Sequence, residues 1–244
     1  MSTNERTDEA PWRAGLRGAR ATLVPGIILQ LTALILVIAY YQSAPAREWV
    51  NSLARLHDQL GLIFGIVSTG LCGGLIPFLY LRSRTATRSR FSWAGGAALT
   101  AFWAYKGIEV DLWYRVLART VGADTQVATV ATKMVLDQFV YCPLFAVPVT
   151  VLLYAWIESG FRLRVVINDA AAGQWYRRKV LPVLISNLGV WVPTVCIIYA
   201  LPTALQLPLQ NLVLCFFTLL LAHVMPGRRA ESAALQAATS RSLA

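Results

Sequence analysis

The chain has 244 residues, of which 57% are hydrophobic and 14% are charged, and its net charge is +10. Soluble domains usually carry about 25% charged residues, so this composition argues against a soluble fold and indicates a membrane protein with several passes. The cations lie in short segments between apolar runs, where they orient membrane helices, so nucleic-acid binding is not expected.

The first twenty residues are a basic N-terminal tail, which also contains Glu5, Asp8 and Glu9. Mitochondrial and chloroplast transit peptides are poor in acids, so a cleaved transit peptide is not expected. The apolar run that follows is longer than the core of a signal peptide. It therefore predicts a first membrane span.

Six apolar runs have roughly the length of a spanning helix, about 20 residues. They are residues 21–41, 60–81, 91–112, 129–156, 180–200 and 206–225, and a C-terminal tail follows at 226–244. A tight connection through Pro202 joins the last two runs, which form either two spans or a re-entrant pair. The predicted fold is all-α, a polytopic helical bundle of about six spans in the lipid bilayer.

Arginine and lysine concentrate in alternate segments of the chain. Four segments are basic: the N-terminal tail, the connections after the second and fourth runs, and the C-terminal tail. Cytoplasmic segments carry the excess of cations. Six spans with both termini on the cytoplasmic or matrix side satisfy this rule, in a bacterial cytoplasmic membrane or in an organellar membrane.

The second run contains many small residues. Gly61 and Gly65 are four residues apart, as are Gly70 and Gly74, and this spacing lets helices approach closely. The pattern predicts either packing within the bundle or a homo-oligomer formed through these faces.

The stretch KMVLDQFVYCP, residues 133–143, places Lys133 and Asp137 inside the fourth run. At 1.5 Å per residue, Asp137 lies at the depth of Lys106 in the third run, and Lys133 lies at the depth of Glu109. Each pair on one helix also shares a face, because its members are three or four residues apart. We therefore expect two ion pairs between the helices, Lys106 with Asp137 and Glu109 with Lys133, or a pair along one helix between Lys133 and Asp137.

Further polar residues lie at similar depth or at the outer rim. The whole predicted polar cluster is Lys106, Glu109, Asp111, Lys133, Asp137, Gln138 and Asn211. Ionisable groups inside a membrane usually face a cavity, so the cluster lines a vestibule or pore. The alternative is a purely structural lock between the third and fourth spans.

Other chemistry is scarce. His57 is predicted in an exposed outer loop and His223 at the opposite face, which excludes a pair of axial haem ligands. The four cysteines have no metal-binding spacing, and no catalytic motif is visible. We expect no enzymatic activity, no cofactor and no metal; an intramembrane enzyme would need a site that unites Asp111 with His57 or Tyr114.

Three separated motifs in the sequence resemble the Mpv-seventeen / peroxisomal membrane protein twenty-two family. The first is a lysine, an Asp-Gln pair and a later proline, matched here by Lys133, Asp137, Gln138 and Pro143. The other two are matched by Gly107, Trp113, Tyr114, and by Pro182, Asn187, Trp191, followed by Pro193 and Pro202. Asp111 stands where the family has a histidine, and Gln206 where it has an arginine.

The resemblance covers about residues 50 to 225. It implies a small polytopic protein of organellar membranes, in a family where some members are associated with non-selective pores. From the residues and the resemblance together, we predict a channel or pore for small polar solutes. The alternative is a structural or accessory subunit of a membrane complex without transport activity.

Overall fold

A computed structural model describes residues 10–89, 92–171 and 173–219, which form helices and no strands. The helices are α1 (Pro11–Ala21), α2 (Leu23–Gln42), α3 (Ala44–Leu60), α4 (Leu62–Ser83), α5 (Thr85–Arg88), α6 (Trp93–Thr120), α7 (Val127–Glu158), α8 (Leu163–Ala171), α9 (Tyr176–Tyr199) and α10 (Thr203–Leu219). The predicted all-α class is confirmed for these residues. The start of the N-terminal tail, the end of the sixth predicted span, His223 and the C-terminal tail at 226–244 lie outside them.

Four helices are long and apolar enough to cross a membrane: α2, α4, α7 and α9. The third predicted span corresponds to α6, which has 28 residues but carries charged side chains along its second half. The sixth corresponds to α10, which is apolar and has 17 described residues. Length and composition therefore support four candidate spans.

Two predicted irregular segments are helical. Residues 11–21 of the N-terminal tail form α1, and Ser186 Oγ of α9 donates a hydrogen bond to the Gly15 carbonyl of α1 at 3.0 Å. The predicted loop after the first span is α3, which Ser43 caps by accepting a hydrogen bond from the Ala46 N–H. Both helices pack against the bundle.

Contacts between helices fix their relative directions. Gln30 of α2 donates to the Val190 carbonyl of α9 at 3.2 Å, and Tyr41 donates to the Ala200 carbonyl at 2.7 Å, so α2 and α9 run the same way. In α7 and α9, by contrast, the order of contacts is reversed. Tyr176 at the start of α9 donates to the Pro143 carbonyl in the middle of α7, whereas the end of α9 lies beside the first turns of α7.

Helices α4 and α6 pack closely in opposite directions through small residues. A Cβ atom on Gly65 would lie 2.8 Å from the Gly107 carbonyl oxygen, and one on Gly74 would lie 2.6 Å from Thr100 Cα. The small-residue face of α4 is therefore filled by α6 of the same chain. This arrangement is the predicted packing within the bundle.

Helix α6 runs opposite to α7, since Trp113 contacts Asp137 while Lys106 contacts Tyr141. Helix α10 runs parallel to α4, since Leu207 lies beside Gly65 and Leu214 beside Gly73. The six longest apolar or semi-apolar helices thus alternate in direction along the chain. Helices α2, α6 and α9 finish at one end of the bundle, where α4, α7 and α10 begin. Helix α3 connects α2 to α4 at that end, which we call the α3 end.

Three helices contain π-helical segments close to prolines. The segments are Gly70–Leu75 in α4, Asp137–Ala146 in α7 and Tyr176–Val180 in α9. Pro143 lies inside the second segment, and Pro77 and Pro182 follow the other two by two residues. Proline lacks an N–H and crowds the preceding turn, and a wider turn accommodates both effects without ending the helix.

Large apolar side chains cover much of the outer surface. Leu31 and Ile35 of α2 are more than half exposed, and Leu144 of α7 is 74% exposed. Soluble monomers rarely present such extended apolar faces to water. Helices with such apolar surfaces are stable in a lipid bilayer.

Candidate functional site: a buried polar core at the α3 end

The interior of the bundle near the α3 end contains a dense set of buried polar side chains. They are His57, Lys106, Asp111, Lys133, Asp137, Gln138, Gln206 and Asn211, with the half-buried Glu109 beside them. We call this set the polar core. Helices α3, α6, α7 and α10 each contribute to it.

Asp111 of α6 lies at the centre of a charged network. Arg115, one turn further along α6, donates to both carboxylate oxygens from Nε and Nη2 at 3.0–3.2 Å. His57 Nε2 lies 3.1 Å from Asp111 Oδ1. Asp111 is 1% exposed, and such burial requires a carboxylate to be paired.

The predicted place of His57 in an exposed loop is wrong. The residue lies on α3, and its buried ring packs against Phe64. Its Nδ1 lies 3.0 Å from the Ala204 carbonyl, and its Nε2 faces Asp111. A carbonyl and a carboxylate only accept hydrogen bonds. Both ring nitrogens must therefore carry protons, and the contact requires a charged imidazolium.

This contact makes stability depend on pH. The hydrogen bond to Asp111 raises the pKa of His57 above its ordinary value, although burial acts in the opposite direction. A raised folded-state pKa means that the contribution is fully present below about pH 6.5 and is lost as pH rises through the folded pKa.

We expect the stability difference between the wild type and His57→Gln to shrink between about pH 6 and pH 9. Thermal unfolding in detergent across this range measures it. A difference that is constant with pH would show that the imidazolium does not form.

Lys106 pairs along its own helix with Glu109, and Tyr141 of α7 also donates to Glu109. Lys106 Nζ lies 5.6 Å from the centre of the Tyr141 ring, which stacks on Trp113 with 4.8 Å between centroids. This group of aromatic and charged side chains joins α6 to α7.

Asp137 accepts hydrogen bonds from two neutral donors. Trp113 Nε1 lies 2.9 Å from Oδ1, and Gln138 Nε2 lies 3.0 Å from Oδ2. The predicted ion pair between Lys106 and Asp137 is therefore wrong, because the Lys106 ammonium turns to Glu109, three residues along the same helix. Asp137 also lies where α7 widens into its π-helical segment.

Lys133 differs from every other charge in the polar core. It is 1% exposed, and no hydrogen-bond partner for Nζ exists in the described part of the chain. The predicted pairs of Lys133 with Glu109 or Asp137 are both wrong. Its ammonium lies over the Tyr199 ring of α9, whose centre is 5.9 Å from Nζ.

Asn211 of α10 connects the polar core to α4, as its predicted depth implies. It accepts from Thr69 Oγ1 at 2.9 Å and donates to Ser68 Oγ at 2.8 Å. Gln206, one turn earlier in α10, donates to the Leu201 carbonyl at 3.0 Å. Its side-chain oxygen has no partner among the described residues.

The remaining residues of the three motifs lie on α6, on α9 and just before α10. Tyr114 is buried, and its hydroxyl donates to Gln210 at 3.1 Å instead of reaching Asp111 or His57. Trp191 packs edge-on against Phe217. Asn187 is half-buried in α9, Pro193 lies inside that helix, and Pro202 precedes α10.

A surface cavity of about 390 Å³ adjoins the polar core at the α3 end. Its lining consists of Gly61, Leu62, Leu112, Arg115, Val116 and Arg119. Arg115 therefore touches the cavity and also donates to the buried Asp111. Among the described residues, no group of three or more His, Cys, Asp or Glu side chains is placed to hold a metal ion.

Two members of the polar core, His57 and Gln206, and the neighbouring Tyr141 were not expected from the sequence. They lack a charge pattern that marks them as buried polar residues. Only one feature of the sequence marked Gln206 as a polar-core residue: it stands where the Mpv-seventeen / peroxisomal membrane protein twenty-two family has an arginine. Tyr141 lies one turn after Asp137, inside the motif itself.

No family model, no curated protein and no solved structure matches this chain. The resemblance to the Mpv-seventeen / peroxisomal membrane protein twenty-two family stays a prediction.

Proposed function

We propose that the protein is a multi-pass membrane protein whose polar core forms part of a narrow pathway for small polar solutes. The observation that carries this proposal is the presence of buried polar atoms without partners. Among the described residues of the polar core, these are Glu109 Oε2, Lys133 Nζ, Gln138 Oε1 and Gln206 Oε1. Unsatisfied polar groups cost several kcal/mol away from water, so they call for water or a small polar solute beside them.

The polar core also extends over a large part of the thickness that a permeating solute must cross. Lys106 and Arg115 are nine residues apart on α6, which corresponds to about 14 Å of a membrane core roughly 30 Å thick. Arg115 opens onto the 390 Å³ cavity at one end. Polar side chains thus extend from the surface to near the middle of the bundle.

The same proposal includes six passes with both termini on the cytoplasmic or matrix side, in a bacterial cytoplasmic or organellar membrane. The alternating helix directions and the alternating cation-rich segments support this topology. The resemblance to the family's lysine and Asp-Gln motif also supports a pore, since Lys133, Asp137 and Gln138 all belong to the polar core. A homo-oligomer would use faces other than the α4 glycines.

We propose no enzymatic role. A catalytic Asp-His pair needs a ring nitrogen that can take a proton from a nucleophile. Both nitrogens of His57 already face acceptors, so neither one is free for that step.

Permeation can be measured by light scattering from proteoliposomes exposed to gradients of glycerol or urea, and by planar-bilayer recording. We expect the wild type to raise solute flux above that of empty liposomes. Asp137→Asn should change the flux or conductance about tenfold, because a hydrogen bond to a charged group is worth roughly 1.5 kcal/mol.

The matched control is Asp58→Asn, which makes the same change on an exposed residue of α3. It should leave flux unchanged. A wild type that passes no solute, or an Asp137→Asn protein with the wild-type flux and selectivity, contradicts the pathway.

The second candidate is a structural or accessory subunit of a membrane complex. It is favoured by the hydrogen bond from Tyr141 of α7 to Glu109 of α6, which joins the two helices without any solute. This role predicts stable copurification with partner subunits and no solute flux.

A further inference from the structure

Lys133 is a buried cation whose counter-charge is missing from the described chain. A buried ammonium ordinarily has a carboxylate within hydrogen-bonding distance, because an isolated charge is very costly away from water. Lys133 Nζ instead has only the face of Tyr199 at 5.9 Å. A cation over an aromatic ring gains about 0.5–2 kcal/mol, which does not offset the loss of hydration.

The acids nearest to Lys133 in the fold already have other partners. Asp137 accepts from Trp113 and Gln138, and Asp111 accepts from His57 and Arg115. Glu109 is paired with Lys106. Each of these carboxylates is therefore committed elsewhere.

Asp124, in the connection before α7, is the remaining acid in this region. It interacts with Lys133 only through the electrostatic field, and its Oδ1 accepts from the Gln126 N–H at 2.9 Å. Among the described residues, neither Asp124 nor Lys133 takes part in an ion pair within 4.0 Å. The described residues therefore leave the positive charge of Lys133 unbalanced.

We infer that Lys133 is the cationic centre of a binding site for a small monovalent anion. This inference rests on the proposed pathway, because the anion would be a solute that enters the polar core. One unpaired ammonium balances one negative charge. Because Nζ is sealed from solvent, a small anion is the occupant that needs the least rearrangement of the surrounding side chains. The Tyr199 ring, whose centre lies 5.9 Å from Nζ, favours the cationic form of the amine.

Anion binding can be tested without any flux measurement. Purified protein is unfolded thermally in detergent in chloride, nitrate or iodide, at constant ionic strength with gluconate as the large reference anion. Binding to the folded state raises the unfolding temperature in proportion to ln(1 + [anion]/Kd). We expect a saturable rise of several degrees for at least one small anion in the wild type.

Lys133→Met should lose this anion-dependent rise while remaining folded in gluconate, since removing an unpaired buried charge relieves a cost. Lys133→Arg should retain it. The control is Lys179→Met, which removes an exposed lysine that pairs with Asp169 at 2.7 Å. This variant should keep the wild-type anion response.

Equilibrium dialysis of the wild type against radioactive iodide gives a second measurement that needs no variant. About one iodide per chain is expected at saturation. No bound iodide, or an anion response that survives in Lys133→Met, overturns the site.

The outcomes separate this inference from the proposed pathway. A protein that binds iodide through Lys133 but passes no solute keeps the anion site and refutes the pathway. A protein that passes solute but binds no anion keeps the pathway and refutes the anion site. Lys133 would then be a neutral or water-bound amine.

Discussion

Gly107→Ala is expected to destabilise the protein by about 3 kcal/mol, the upper part of the range for overpacked interiors. The new Cβ atom would fall far inside contact distance of the Gly65 carbonyl, and 2.9 Å from Thr69 Oγ1. The Gly65 group is backbone, which cannot rotate away as a side chain can. Helices α4 and α6 would have to separate, and the thermal unfolding temperature in detergent measures the result.

Gly189→Ala is the matched control for this change. It adds the same methyl group to α9, but the new atom would lie 3.5 Å from Ala19 Cβ, an ordinary contact. Alanine is a better helix former than glycine by up to about 1 kcal/mol, so stability should stay equal or rise. Equal unfolding temperatures for the two variants would disprove the close approach at Gly107.

The second large effect is expected at Asp111. Asp111→Asn removes the anion between His57 and Arg115, and breaking a buried pair by losing one partner costs about 3–5 kcal/mol. Thermal unfolding at pH 6, where the imidazolium is present, measures the loss. Adding His57→Gln should recover part of the lost stability, because the buried imidazolium is then gone.

Asp169→Asn serves as the comparison for Asp111→Asn. Asp169 also pairs with a cation, Lys179, but its side chain is 39% exposed. Exposed pairs contribute about 0–1 kcal/mol, so the change should be small. If both substitutions have the same effect, Asp111 is not a buried anchor.

The sequence predicted the fold more reliably than the contacts inside it. Apolar runs placed α2, α4, α7 and α9 to within a few residues, because length and hydropathy suffice to recognise helices in a membrane. Helix α3 was missed because it lacks the hydropathy by which such helices are recognised. Its polar residues read as a loop, and its inward-facing His57 carries no signal in composition.

The sequence predicted how deep the side chains of the polar core lie in the bundle. It did not predict how each helix is rotated about its own axis. Lys106, Glu109, Lys133 and Asp137 were all placed inside the bundle, and Lys106, Lys133 and Asp137 are deeply buried there. Partner choice depends on the angle of each helix about its axis, which an almost uniformly apolar helix does not specify. The π-helical segment that begins at Asp137 changes this angle further, and only the three-dimensional structure reveals it.

The parallel alignment of α2 with α9 has a consequence for how the chain is made. The hydrogen bond between Gln30 and Val190 joins residues 160 positions apart. At about 5–20 residues per second, synthesis leaves the first hydrophobic helix without its final neighbour for roughly ten to thirty seconds. During this interval α2 must be shielded by lipid or by the insertion machinery, whereas α4 and α6 can join as soon as both have emerged.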